Sequence, residues 1–259
     1  YVAGKERPKK GRGGGRLWGG GRLWVRRALS FNPRVQVHRK EVRILLCGQK
    51  SFGRSILKLL LRRGDDVAAV CCPGGNDKLN SLRWGEGLPW IESGALSARA
   101  CPPGLDLIIA AHSHDFIGKK TRAKARLGAV GYHPSLLPLH RGRDAIRWAI
   151  KMGDKVTGGS VYWLSNTVDG GHVGAQDWCF IRPDDDPLSL WIRELAPMGE
   201  RLFGKTLEQL DRGVCVRKAQ DPSLATWEPS MEGQPIHRPD LEALPMHAGA
   251  HDLYYEAEA

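Results

Sequence analysis

The chain has 259 residues with a hydrophobic fraction of 41% and a charged fraction of 26%, the composition of a globular protein whose apolar runs are too short to span a membrane. Its formal net charge of +11 resides in residues 1–40, which hold twelve Lys or Arg and one acidic residue, so the charge does not mark the rest as nucleic-acid binding. The six cysteines include no CxxC pair, which favours reduced thiols of a cytoplasmic protein over a disulfide framework or a zinc site.

Residues 1–41 form a basic tail rich in Gly and Arg. They contain the hexamer Gly-Gly-Gly-Arg-Leu-Trp twice in tandem, at 13–18 and 19–24. Such sequence buries too little apolar surface to offset its conformational entropy, so we expect it to be disordered. The tail is either a linker or an RNA-contacting arm in which Arg neutralises phosphates and Trp stacks on bases.

Apolar runs and helical patterns alternate after the tail. Residues 42–47 and 67–72 are typical of buried strands, and residues 55–63 between them carry apolar side chains at helical spacing. This order predicts the opening of a parallel sheet with a right-handed crossover. Residues 105–111 are a third buried-strand candidate.

The second half of the domain continues the alternation. The expected elements are a short basic helix at 119–126, a strand at 128–132, a helix at 144–152 capped by Asp144, a strand pair at 155–164 and 173–181, and a long amphipathic helix at 188–210 interrupted near Pro197. We therefore predict an α/β domain over residues 42–215, with a Rossmann-like, mostly parallel sheet flanked by helices. Residues 216–259 are expected to form an irregular C-terminal tail. His247 and His251 within it lack a third ligand, so no metal site is predicted.

His133 and Asp169 are the catalytic candidates. Ligands of parallel α/β sheets bind at the carboxyl ends of the strands, and His133 follows a predicted strand directly. A histidine there can donate to an oxyanion or shuttle a proton. Asp169 lies in a turn between two predicted strands, where its carboxylate could face the same cleft. Spacing alone leaves open that His133 is an ordinary loop residue and Asp169 ordinary turn chemistry.

Two motifs add a resemblance. Residues 131–138, Gly-Tyr-His-Pro-Ser-Leu-Leu-Pro, are followed by Arg141 and Gly142, and a second motif runs from Thr157 to Gly171. Together they resemble the signature of the 10-formyltetrahydrofolate-dependent formyltransferases. That family includes transferases acting on glycinamide ribonucleotide, methionyl-tRNA and sugar amines, and hydrolases that deformylate the folate. The resemblance covers roughly residues 42–215.

The resemblance implies a catalytic set of Asn, His and Asp. His133 and Asp169 match two of the three, with His133 as the oxyanion donor and Asp169 as its partner during attack by a substrate amine. The Asn position is Gly131, and the second motif has Ser160 and Tyr162 where the family has Thr and His. One oxyanion donor is therefore missing, unless a water or one of three side chains replaces it: Tyr132, Tyr162 or Asn166.

By the same resemblance the donor is 10-formyltetrahydrofolate. Its pterin is expected near His114, Asp115, Phe116 and Val168. The acceptor is a small-molecule amine or an aminoacyl-tRNA, and the short segment after Cys215 favours the former. The alternatives are a non-catalytic module that binds folate or another small ligand, favoured by Gly131, and a hydrolase that transfers the formyl group to water.

Overall fold

Within residues 42–231, the part of the chain that the computed structural model describes, apolar runs pair into a seven-stranded sheet. The basic tail and the histidines at 247 and 251 lie outside the described residues. The strands are β1 (Arg43–Gly48), β2 (Asp66–Cys72), β3 (Trp90–Glu92), β4 (Leu107–Ala111), β5 (Ala129–His133), β6 (Val156–Trp163) and β7 (Val173–Phe180). The helices are α1 (Lys50–Arg63), α2 (Lys78–Gly85), α3 (Lys119–Arg122), α4 (Ala145–Lys151), α5 (Pro187–Leu190) and α6 (Ala196–Asp211), with a π-helical segment at Trp191–Leu195 and a 3-10 turn at Pro222–Leu224.

The sheet order is β3-β2-β1-β4-β5-β6-β7. The strands from β3 through β5 are parallel, whereas β6 pairs antiparallel with both β5 and β7. The central strands are buried on both faces, which is why they are nearly continuous apolar runs. The predicted α/β fold with a mostly parallel sheet is confirmed.

An apolar layer covers each face of the sheet, because successive strand residues point to opposite sides. On one face Leu46 and Ile109 pack with side chains of α1 and α6, including Leu60 and Phe203. On the other face Leu45, with its strand neighbours, packs against the connections around β4. All six cysteines are in the described residues and none forms a disulfide. No helix within residues 42–231 is long and apolar enough to cross a membrane.

Some boundaries differ from the sequence predictions. The first helix begins at Lys50 rather than at residue 55, and the basic stretch after β4 forms only the single turn of α3. Helix α2 and strand β3 were not predicted. The N-cap role expected for Asp144 is wrong: its φ is +61° and its side chain accepts from the Met231 N–H at 3.1 Å instead of capping α4.

The long C-terminal helix is interrupted as predicted. The chain passes from α5 through the π-helical segment into α6. Pro197 lies in the first turn of α6, directly after the π-helical segment. The π-helical turn therefore absorbs the change of register next to the proline. Such turns are frequent at functional sites, and this one places Trp191 beside a cavity described below.

Candidate active site

His133 ends β5 at the carboxyl edge of the sheet, with its side chain 9% exposed. Its Nε2 lies 2.6 Å from the backbone carbonyl oxygen of His140. A carbonyl oxygen only accepts, so the tautomer assigned from this contact carries its proton on Nε2. Nδ1 is therefore the atom at which His133 can gain or release a further proton.

Asp169 provides the carboxylate that faces this atom. Its Oδ2 lies 3.6 Å from His133 Nδ1, and its side chain is 13% exposed. The Gly142 N–H donates to Oδ2 at 2.8 Å, and the Tyr162 hydroxyl donates to Oδ1 at 2.6 Å. Two donors thus hold the carboxylate in one orientation beside His133. The fold brings together the two residues predicted to form the catalytic pair.

Tyr162 lies directly across the β5–β6 ladder from Gly131. A Cβ added at Gly131 would lie 3.4 Å from Tyr162 Cε1 and 3.1 Å from Leu164 Cδ2, so the tyrosine ring takes the space beside the glycine. Burial, together with the charge of Asp169, raises the pKa of Tyr162 well above its usual value. Tyr162 therefore remains protonated, and its hydroxyl donates a hydrogen bond to Asp169.

The other two side chains expected as replacements for the Asn are also engaged. Burial raises the pKa of Tyr132, whose hydroxyl donates to the Leu195 carbonyl oxygen at 2.6 Å. Asn166 Oδ1 accepts from Arg122 at 2.6 Å. Neither contact is with the catalytic candidates.

A polar cavity of about 270 Å³ lies between the connection after β4 and the β6–β7 connection. Its lining includes the four predicted cofactor-binding residues, one member of the pair and the tyrosine that donates to it: His114, Asp115, Phe116, Val168, Asp169 and Tyr162. The carboxylate of Asp115 accepts from Ser93 and from the Gly94 N–H, which fixes it in the wall. Phe116 is 74% exposed at the rim. We call this the polar cavity.

A second cavity of about 420 Å³ is mainly apolar, and we call it the aromatic cavity. Phe52, Tyr132 and Trp191 line it with their rings, which lie in tilted or edge contacts 5.2 to 6.4 Å apart. Its charged lining residues are Asp144 and Arg147. Tyr132 and Pro134, which flank His133 in the chain, both line this cavity, whereas Asp169 lines the polar one.

Sequence reasoning missed several residues around the pair. Gln220 donates to the carbonyl oxygens of Asp169 and Gly171 at 2.7 and 2.6 Å, and accepts from Arg141. His140 sits inside the signature string and supplies the carbonyl for His133. Gln220 has no local pattern that could have identified it, because its role arises only from packing against the Asp169 turn.

Comparisons with known proteins identify the family of the domain. Residues 96–200 match the formyl transferase family profile. The chain is 30% identical over 204 residues to mitochondrial 10-formyltetrahydrofolate dehydrogenase of Mus musculus, covering 73% of this chain and 22% of that protein. It is 30% identical over 203 residues to methionyl-tRNA formyltransferase of Lactobacillus delbrueckii subsp. bulgaricus, covering 73% and 64%. It therefore spans only about a fifth of the dehydrogenases it matches.

Solved structures share the fold. Phosphoribosylglycinamide formyltransferase from Bacillus halodurans superposes with a TM-score of 0.56 at 22% identity, over 65% of this chain and 94% of that one. HypX from Aquifex aeolicus, solved with tetrahydrofolic acid, superposes with a TM-score of 0.58 at 22% identity, over 74% and 30%. With the family match, the two motifs and the sheet topology in agreement, the chain belongs to the formyltransferase family.

Proposed function

We propose that this domain transfers a formyl group from 10-formyltetrahydrofolate to a primary amine. The observation that carries the proposal is the buried His133–Asp169 pair, whose carboxylate forms part of the wall of the polar cavity. Relatives named for 10-formyltetrahydrofolate and for formyl transfer to methionyl-tRNA support the reaction class.

The polar cavity fits the head of such a donor. Its volume of about 270 Å³ is near the lower end of small-molecule pockets, enough for a bicyclic ring but not for a whole folate. His114, Asp115, Phe116 and Val168 would hold the pterin there. When bound, the donor supplies an activated formyl group whose oxygen becomes negative as an amine attacks the carbon.

His133 works through Nδ1 in this proposal. Its Nε2 proton is committed to the His140 carbonyl, so a proton taken from the attacking amine goes to Nδ1. The resulting imidazolium can donate to the developing oxyanion, and the Asp169 carboxylate 3.6 Å away stabilises its positive charge. The proton then passes to the folate nitrogen as the bond between that nitrogen and the formyl carbon breaks, which releases the formylated amine and returns His133 to its neutral form. Asp169 is itself oriented by Gly142 and Tyr162, so the pair is organised before the reaction begins.

The aromatic cavity is the proposed acceptor side. Pro134, which follows His133 at the carboxyl end of β5, lines this cavity, and ligands of parallel sheets bind at that end of the strands. A phosphorylated acceptor would need several cations, but the charged lining residues are one arginine and one aspartate. Three aromatic rings favour an amine with an apolar or aromatic body. An aminoacyl-tRNA is the second acceptor class, supported by the methionyl-tRNA formyltransferase relative.

Hydrolysis of the donor is a second candidate function. Gly131 removes an amide donor from the pair's surroundings, and Asp169 lines a polar cavity in which a water can be activated without a second substrate. Relatives named 10-formyltetrahydrofolate dehydrogenase make hydrolysis of the donor the second candidate reaction.

Calorimetric titration of the full chain with a stable 10-formyltetrahydrofolate analogue tests the donor. A mass-spectrometric screen of amines then reports formylated product, and formate release without amine reports hydrolysis. We expect binding, amine formylation, and loss of product in His133→Ala. His172→Ala is the control for replacing a histidine outside the pair, because His172 is exposed and lies in the strand connection away from His133. Binding without either product would identify a binding module, and absence of binding would remove the folate donor.

A further inference from the structure

His140 is a buried histidine placed between two carboxylates. Its Nε2 lies 2.8 Å from Asp154 Oδ2, and its Nδ1 lies 3.1 Å from Glu228 Oε1, an ion-pair contact without hydrogen-bond alignment. The side chains of His140 and Glu228 are 8% and 5% exposed. The second carboxylate oxygen of Glu228 has no hydrogen-bond partner in the described residues. A buried carboxylate is destabilising unless an opposite charge lies beside it, so Glu228 needs a positively charged His140.

The backbone of the same residue touches the catalytic pair. The His140 carbonyl oxygen accepts the Nε2 proton of His133, and two residues later the Gly142 N–H donates to Asp169. His140 has a φ of +53°, a left-handed conformation that is unfavourable for a residue with a side chain and persists only when its surroundings enforce it. The segment 140–142 therefore orients both members of the pair.

Residues 226–231, which we call the closing segment, form hydrogen bonds with the backbone of residues 140 and 141. The Arg141 N–H donates to the Thr226 carbonyl at 3.0 Å, and the Glu228 N–H donates to the Arg141 carbonyl at 3.3 Å. The His140 N–H donates to Thr226 Oγ1 at 2.8 Å. The ion cluster of His140 thus adds side-chain contacts that join the first motif, the connection after α4 and the closing segment.

We propose that His140 is a positioning residue for the His133–Asp169 pair, which it orients by pairing with Glu228 of the closing segment and with Asp154. The inference rests on the proposed function for its catalytic consequence, although the orientation of His133 can be measured without turnover. His140 lines neither cavity, so its effect passes through its backbone and not through contact with substrate.

The charge state of His140 fits this role. Burial opposes its positive charge, but the contacts with Glu228 and then Asp154 outweigh burial, and the pKa of His140 is raised above its usual value. Those two carboxylates are the charged groups that face it in the described residues. As the pH rises through the raised pKa, the carboxylates lose their partner and the closing segment loses this tie.

The test uses nitrogen-15 histidine NMR of the full chain in wild type, His140→Gln and Glu228→Gln. In wild type we expect His133 as the single Nε2-protonated tautomer, with a slowly exchanging proton. Both variants should give a mixed tautomer population and faster proton exchange. His172→Gln is the matched control for replacing a histidine at an exposed site.

Kinetics give the second readout. We expect His140→Gln to lower kcat by up to about 100-fold, the scale of a small misplacement of a catalytic group, with the KM for the donor changed less than about twofold. The alkaline limb of the pH profile should move in Glu228→Gln, the second variant, which keeps the His140 side chain and its contact with Asp154. Unchanged His133 tautomer in both variants would overturn the inference. An altered His133 tautomer in the variants of a protein that shows neither formyl transfer nor hydrolysis would support the positioning role of His140 and reject only the proposed function.

Discussion

Tyr162 packs its ring into the space beside Gly131, its partner across the β5–β6 ladder. A larger residue at 131 would need the room that the tyrosine ring occupies, so the residues that can stand at 131 and 162 depend on each other. The same tyrosine donates its hydroxyl proton to Asp169. One side chain therefore both limits the space at Gly131 and holds the carboxylate of the proposed catalytic pair.

Restoring the family residue at 131 alone should destabilise the protein. In Gly131→Asn the new Cβ would approach Leu164 to 3.1 Å and Tyr162 to 3.4 Å, and the rest of the side chain must displace the ring. We expect a loss of about 1–3 kcal/mol in the free energy of unfolding, measured by urea denaturation. The double variant Gly131→Asn/Tyr162→His should recover most of it. Equal stability of the single variant and wild type would show that the ring does not limit residue 131.

Removing the Tyr162 hydroxyl should cost both stability and activity. Tyr162→Phe keeps the ring but leaves Asp169 Oδ1 without this donor, and hydrogen bonds to charged groups are worth about 1.5–3 kcal/mol. We expect a loss near the lower end, since the cavity wall admits water, and a fall in kcat with little change in donor affinity. Calorimetry with the donor analogue separates the two effects. Tyr132→Phe, which removes a hydroxyl from the other face of the sheet, controls for the loss of any buried hydroxyl.

The catalytic pair should act as a unit. His133→Ala and Asp169→Asn should each lower the rate of formyl transfer by about 100- to 10,000-fold, the range for general acid–base groups. The double variant should lose little more than the worse single variant, because each partner works through the other. Steady-state kinetics of the three variants provides the measurement. Multiplicative losses would mean that the residues act independently.

Stability above neutral pH should depend on Glu228. The folded pKa of His140 is raised above its unfolded value of about 6.5, so its contribution is fully present below that pH and is lost as pH rises through the folded pKa. Wild type should therefore lose free energy of unfolding from pH 6 to 9 more steeply than Glu228→Gln. His112, whose pKa is lowered by burial and then by Lys50, acts in the opposite direction in both proteins, so the difference between the curves isolates His140. Parallel curves would exclude the pairing.

Much of the fold could be predicted because strands and helices have local signatures. The buried strands that end at Gly48 and Cys72 could be predicted from local sequence alone, and so could the change in the helix near Pro197. Helix α2 was missed because its weakly amphipathic sequence lies in a long connection. The cap expected at Asp144 failed because the closing segment offers that carboxylate a backbone N–H, a partner far away in the chain.

The sequence by itself determined the α/β order and the family motifs, and it predicted His133 and Asp169 as catalytic candidates, since apolar periodicity and short strings are properties of neighbouring residues. Only the tertiary structure decided how those residues are held. It brought Tyr162 against Gly131 and Asp169, Glu228 against His140, and separate polar and aromatic cavities near the ends of the strands. Such contacts join residues distant in the chain, and they depend on how the packed layers bring side chains together.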